Sequence, residues 1–400
     1  LGKTELDAQV VWPATLPFPN TELPMIDQLF PFLVALLQQT GLAQLWWGNV
    51  LMIAVGAAMI YLAIAKRYEP FLLLGIGFSC IVANVPGSDL TLPGGLFDYA
   101  YRGVSLLIVP PLIFLGVGAM TDFGPMIANP KLVILGAGAH LGIFVALIGA
   151  KLLGFTINEA GAIGIIGGAD GPMAIFVTMK LAPHLLPQIS VAAYSYMALM
   201  PLIQPPVMRL LTTPKERQIS MAQLRKVSRL EKIAFPIVIA VIVNMFFPPV
   251  APLITMLMLG NLFKEVLMVE RLAKTMGGVL LDVITVVLTV AIGSTMVAQS
   301  FLTLKTLEIV LLGLLAFVFG TGSGVVTAKI MNLFLKDKIN PLIGSAGIAS
   351  VPIAARVSHM VAVKENPSNL LIYHAMGPNL AGVFGTAISG GIMLALLGVV

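Results

Sequence analysis

Cysteine is almost missing. Cys80 stands alone in 400 residues, which rules out both an intrachain disulfide and a thiolate metal cluster. Charge is scarce as well: Asp, Glu, Lys and Arg make up 10% of the chain against 58% hydrophobic residues, too little to solvate the surface of a water-soluble chain of this length. The four histidines, His140, His184, His359 and His374, show no HExxH or similar spacing, so they read as polar contacts and not as metal ligands. The net charge of +5 gathers into no basic patch suited to nucleic acid. It reads instead as the loop bias that orients a membrane protein. Gly320-Thr321-Gly322-Ser323-Gly324 lacks the preceding strand and the following Lys-Ser/Thr of a phosphate-binding loop, and is read as close helix packing by small residues.

Long apolar runs are what the chain does have. With a mean hydropathy of +0.98, it is expected to be an all-α polytopic membrane protein. Spans are expected near 47–65, 71–85, 104–120, 132–153, 186–211, 279–297, 309–326 and 370–400, with a kink in the third at Pro110-Pro111. Residues 1–22 form a polar lead without a basic n-region, which does not read as a cleaved signal peptide, and the missing initiator Met suggests a trimmed chain. A short apolar segment follows at 25–37. Between 211 and 233, Lys215, Arg217, Arg225, Lys226, Arg229 and Lys232 outnumber Glu216 and Glu231, which places this loop in the cytoplasm. The run 233–263 is cut by Pro248, Pro249 and Pro252 into arms short for a span, so a hairpin that dips in and returns is expected. The division that results is a lead with its apolar segment (1–46), a first membrane half (47–212), the basic loop with the hairpin (213–276) and a second half (277–400).

The stretch that organises the chain is 161–180, GAIGIIGGADGPMAIFVTMK. Its glycines release the helix and Pro172 removes a donor, leaving backbone groups near Asp170 without intrahelical partners. Such backbone is tolerated in a membrane only where protein or a wet cavity covers it. A carboxylate beside free carbonyls suits a small hard cation or a proton. The pattern recurs at 341–360, PLIGSAGIASVPIAARVSHM, where Ile163/Ile343, Gly164/Gly344, Gly167/Gly347, Ala169/Ala349, Pro172/Pro352 and Ala174/Ala354 keep one spacing and Ser350 takes the place of Asp170. Tyr194 falls opposite Tyr373. Paired, glycine-broken segments point to two inverted repeats, each with a broken or re-entrant helix at the bilayer midplane. That arrangement implies an elevator-like core and scaffold, with the N-terminus inside and the C-terminus outside. Asn340 stands just before the second break and Arg356 just after it; an arginine there reads as the holder of an anionic group. Asp98, Asp122, Asp282 and Arg102 are read as interfacial.

At these residues the chain resembles a known family. The runs GIIGGADGPMAIFVTMKLAPHLL, VAAYSYMALMPLIQPPVMRLLTT and KINPLIGSAGIASVPIAARVSHM are similar to the membrane-embedded beta subunit of the sodium-pumping biotin-dependent decarboxylases, which act on oxaloacetate, methylmalonyl-CoA, glutaconyl-CoA or malonate. The resemblance implies a translocase subunit of a bacterial cytoplasmic membrane that decarboxylates carboxybiotin and exports sodium while consuming a proton. It implies catalytic roles for Asp170, Tyr196 and Arg356, carboxybiotin binding by Arg356 and Asn340, and sodium binding by Asp170, Asn340, Gly344 and Ser350. Many members have serine where this chain has Ala349. No Met-Lys-Met biotin-attachment sequence is present, so carboxybiotin has to come from a partner. The partners implied are a biotinyl carrier domain, a carboxyltransferase alpha subunit and a small membrane gamma subunit, with beta subunits assembling as homo-oligomers in the lipid bilayer. Repeats and broken helices suit a sodium-coupled secondary transporter of an organic anion equally well. Dependence on a biotinylated partner separates the two.

Overall fold

The computed structural model describes residues 34, 40–88 and 90–397; apart from Val34, the apolar segment 25–37 lies outside them. Among the described residues there is no strand. Six helices are long and apolar enough to cross a membrane, or seven if one bent pair counts as a single span. The first is α1 (Trp47–Ala65). The expected second span is α2 (Pro70–Ala83), whose 14 residues fall short of the roughly 20 needed to cross. Asn84 ends it: the Asn84 amide donates to Met296 O at 2.7 Å and its carbonyl accepts from Ala298 N at 2.9 Å.

The expected kink is a full break. Helices α3 (Leu96–Ser105) and α4 (Val109–Met120) meet at 72°. The bend precedes the prolines, because Pro110 and Pro111 fit the first turn of α4, where no N–H is needed. Leu107 takes the turn at φ 59°. The span Pro130–Leu152 contains α5 (Val133–Ala139) and α6 (Leu141–Leu152). Next come α7 (Ile157–Gly164), α8 (Gly171–Leu181) and the long α9 (Leu186–Leu211). Capping boxes of the Ser/Thr-x-x-Glu type start α7 at Thr156 and Glu159, and α10 (Arg229–Phe246) at Ser228 and Glu231.

Helices α10 and α11 (Ala251–Glu265) form a hairpin around Pro248–Val250. Lys232 near its start pairs with Asp122 at 2.9 Å, and Lys264 near its end donates to Met120 O at 3.0 Å. Both ends therefore sit on one face of the protein. A π-helical turn at Met276–Leu280 leads into α12 (Leu281–Ser294), and α13 (Leu304–Phe334), α14 (Ile353–Glu365) and α15 (Ile372–Leu396) complete the chain.

Buried side chains form separate clusters. One joins α1, α2, α12 and the start of α4 with one face of α9. Another gathers α6, α7, α8, α11 and α15 around the first broken segment. A third surrounds the second broken segment and α14. Small residues bring α13 against that segment: a Cβ on Gly324 would collide with the carbonyl oxygen of Gly344. Gly324→Val is therefore expected to cost about 2–3 kcal/mol through forced separation of the backbones. A thermal unfolding midpoint in detergent measures this, and an unchanged midpoint would contradict the close approach.

Candidate functional site

The two broken segments cross. In the first, α7 runs into a 3₁₀ turn (Ile165–Gly168), Ala169 turns left-handed at φ 56°, and Asp170 caps α8 by accepting from Met173 N at 3.0 Å. In the second, a 3₁₀ turn (Pro341–Gly347) opens into extended backbone at Ile348 before α14 begins. Ala349 N donates to Gly168 O at 2.9 Å, so each break satisfies part of the other. Helix α15 supplies further partners. Thr386 Oγ1 donates to Gly168 O at 3.3 Å, while Asn379 Nδ2 reaches Ala346 O at 2.9 Å and Ile348 O at 2.7 Å. Irregular backbone at membrane depth is covered here by protein.

A cavity of about 560 Å³ opens beside the crossing, lined among others by Glu69, Asp170, Tyr194, Asp282, Ala349 and Arg356. Asp170 is only 6% exposed. The Tyr194 ring packs directly on Gly171, and its buried hydroxyl lacks a hydrogen-bond partner. Ser350 Oγ and Asn379 Oδ1, both at the second break, are likewise buried without partners. Hydroxyl and carboxamide oxygens without partners, together with a buried carboxylate, are of the donor type suited to a hard cation such as sodium. Arg356 is an exposed cation within the cavity. It opposes the upward push that burial exerts on the Glu69 pKa.

The cavity unites Asp170 and Arg356, and Ser350 falls between its wall residues Ala349 and Val351. Tyr196, Asn340 and Gly344 are not among its lining. The Tyr196 hydroxyl donates to Val310 O at 2.6 Å and its ring packs on Phe317, which ties α9 to α13. Asn340 uses its whole carboxamide elsewhere: Nδ2 donates to Arg217 O at 2.8 Å and Ile219 O at 2.9 Å, and Oδ1 accepts from Leu342 N at 3.0 Å. It clasps the basic loop to the second break. Three lining residues escaped the sequence reading. Tyr194, two positions from Tyr196, faces a different side of the same helix. Asp282, read as interfacial, follows the π-helical turn, whose extra residue rotates α12. Glu69 sits in the loop between α1 and α2, where spacing gives no signal.

The fold and site together define a helical membrane protein with broken helices crossing over a cavity that holds carboxylates and a guanidinium. The family profile described as Na+-transporting oxaloacetate decarboxylase beta subunit matches residues 48–397, and the chain belongs to that family. It is 53% identical over 373 residues to the glutaconyl-CoA decarboxylase subunit beta of Acidaminococcus fermentans, covering 93% of this chain and 100% of that one. It is 54% identical over 363 residues to the methylmalonyl-CoA decarboxylase subunit beta of Veillonella parvula, covering 91% and 97%. With the oxaloacetate decarboxylase beta chain 2 of Salmonella typhi the identity is 45% over 422 residues, covering 90% and 98%.

Proposed function

We propose that this subunit decarboxylates carboxybiotin presented by a partner carrier and couples the release of carbon dioxide to sodium export. The observation that carries the reading is the placement of Asp170 and Arg356 in one cavity at the crossing of the two breaks. Loss of carbon dioxide from N-carboxybiotin breaks an N–C bond and leaves a ureido nitrogen that must gain a proton. Arg356 holds the carboxylate by charge-assisted hydrogen bonds. Asp170 delivers the proton, and once deprotonated it is the anionic ligand for sodium, with Ser350 and Asn379 offering neutral oxygens. Tyr196, by fixing α9 to α13, holds Tyr194 over Gly171; Asn340 and Gly344 keep the second break in place.

Sodium and proton thus compete for one carboxylate. The two broken segments act as an inverted repeat and move, elevator-like, against the α1–α2–α12 scaffold to change access. The cavity is lined by Met120, Gly277 and Gly278, on the face that bears Lys232 and Lys264. By the charge bias of the loops this face is cytoplasmic, which suits a soluble biotinyl carrier loaded by a carboxyltransferase alpha subunit. A small gamma subunit and further beta subunits complete the complex in a bacterial cytoplasmic membrane.

The test is carbon dioxide release from the carboxylated carrier by the solubilised complex, with and without sodium. Release that requires both this subunit and sodium is the expected result. Release indifferent to the subunit would overturn the reading in favour of a sodium-coupled organic-anion carrier.

A further inference from the structure

Two carboxylates in the cavity, Glu69 and Asp282, have no task in the reaction described above. Glu69 is the more constrained of the two. Its backbone is left-handed, at φ 35° and ψ 62°, a region that a side-chain-bearing residue enters at a cost and that concentrates at functional sites. Pro70 follows, and a residue before proline ordinarily prefers extended backbone. Arg67, two positions earlier, is also left-handed, at φ 56°. Glu69 occupies the N-cap of α2, yet its carboxylate caps nothing. The helix start is held by the Glu69 backbone carbonyl, which accepts from Leu72 N and Leu73 N at 3.0 Å each, and the carboxylate is left for another task.

That side chain lines the cavity in the field of Arg356. Among the described residues, neither Glu69 nor Arg356 has an oppositely charged group within 4.0 Å. The Glu69 carboxylate thus feels the Arg356 charge without being locked to it. Glu69 precedes a helix of the α1–α2–α12 cluster and Arg356 lies on α14, so the pair spans the boundary between scaffold and broken segments.

We propose that Glu69 is the resting counter-ion of Arg356, balancing the guanidinium while the cavity is empty and yielding it to the carboxylate of an incoming substrate. Glu69 is then a positioning residue that sets the affinity for the anion and keeps Arg356 from holding any stray carboxylate. The inference rests on the reading of the cavity as a carboxylate site and deepens it. The groups that share the cavity with Glu69 are Arg356 from α14, Asp282 from α12, Asp170 from the first break and Tyr194 from α9.

The test compares Glu69→Gln and Glu69→Asp with the parent in the assembled complex. In Glu69→Gln the KM for carboxylated carrier is expected to fall by up to about fivefold, as for removal of one nearby competing charge, with kcat changed less than KM. Glu69→Asp returns KM toward the parent. Acid that neutralises Glu69 lowers the parent KM, and Glu69→Gln loses that component while the one set by Asp170 remains. In an Arg356→Gln background, Glu69→Gln leaves KM unchanged. A KM that rises in Glu69→Gln, or that falls equally without Arg356, overturns the proposal.

A second readout needs no turnover: the rate at which phenylglyoxal modifies Arg356, followed by peptide mass spectrometry. It is expected to be severalfold faster in Glu69→Gln, and equal rates overturn the counter-ion role. If the parent complex releases no carbon dioxide while the modification rates differ, the decarboxylase reading falls and the counter-ion role stands.

Discussion

Asp170→Asn is expected to lower sodium uptake and carbon dioxide release together, each by roughly 100-fold or more, the scale of a lost general acid. The substitution is nearly isosteric, and asparagine caps a helix as well as aspartate does, so the contact to Met173 N survives and α8 keeps its start. What disappears is the charge. A neutral carboxamide can neither deliver a proton to the ureido nitrogen nor balance sodium at a site where Asp170 is 6% exposed. Asp170→Glu retains the charge but must fit a longer side chain into a buried site, where Asp170 is 6% exposed, and an intermediate loss is expected. Paired assays of ion uptake and gas release in vesicles check this. Retained coupled turnover in Asp170→Asn would remove the residue from the ion path.

Arg356→Gln is expected to raise the KM for carboxylated carrier by about 10- to 100-fold, the value of a charge-assisted hydrogen bond lost from an anion site. Arg356→Lys keeps the charge but loses the two-pronged guanidinium, so its KM lies between those of parent and glutamine variant. Arg356 lines the cavity wall at the first turn of α14 and is exposed there; the fold does not depend on it. Steady-state kinetics on the solubilised complex, with circular dichroism to confirm the fold, separates the two effects. An unchanged KM in Arg356→Gln would show that the substrate carboxylate is held elsewhere.

Much of this site was legible in the sequence, for a local reason. Glycine and proline act on the backbone within a few residues of themselves, so the breaks at Gly167-Gly168 and at Ser350–Pro352 announced themselves, together with Asp170 and Arg356 beside them. The same holds for the hairpin turn at Pro248 and for the bend before Pro110. What stayed hidden is what depends on assembly. The cavity draws its walls from the α1–α2 loop, α4, α9, α12 and both breaks, and no spacing rule links Glu69 to Arg356. Tyr194 and Tyr196 look equivalent along the chain, yet only Tyr194 reaches the cavity while Tyr196 anchors α9 to Val310. Asn340, beside a break and polar, resembled a ligand. Its position at the start of the 3₁₀ turn, donating to the carbonyls of Arg217 and Ile219, gives it a clasping role that only the fold reveals.

The most direct measurement reconstitutes the subunit with its biotinyl, carboxyltransferase and gamma partners in sealed vesicles, then follows radioactive sodium uptake and carbon dioxide release in the same sample. The predicted result is uptake that starts with addition of the decarboxylase substrate, keeps a fixed ratio to the gas released, and is absent without the biotinylated carrier. Sodium uptake that proceeds without the carrier and follows an imposed gradient of an organic anion would contradict the coupling of decarboxylation to transport.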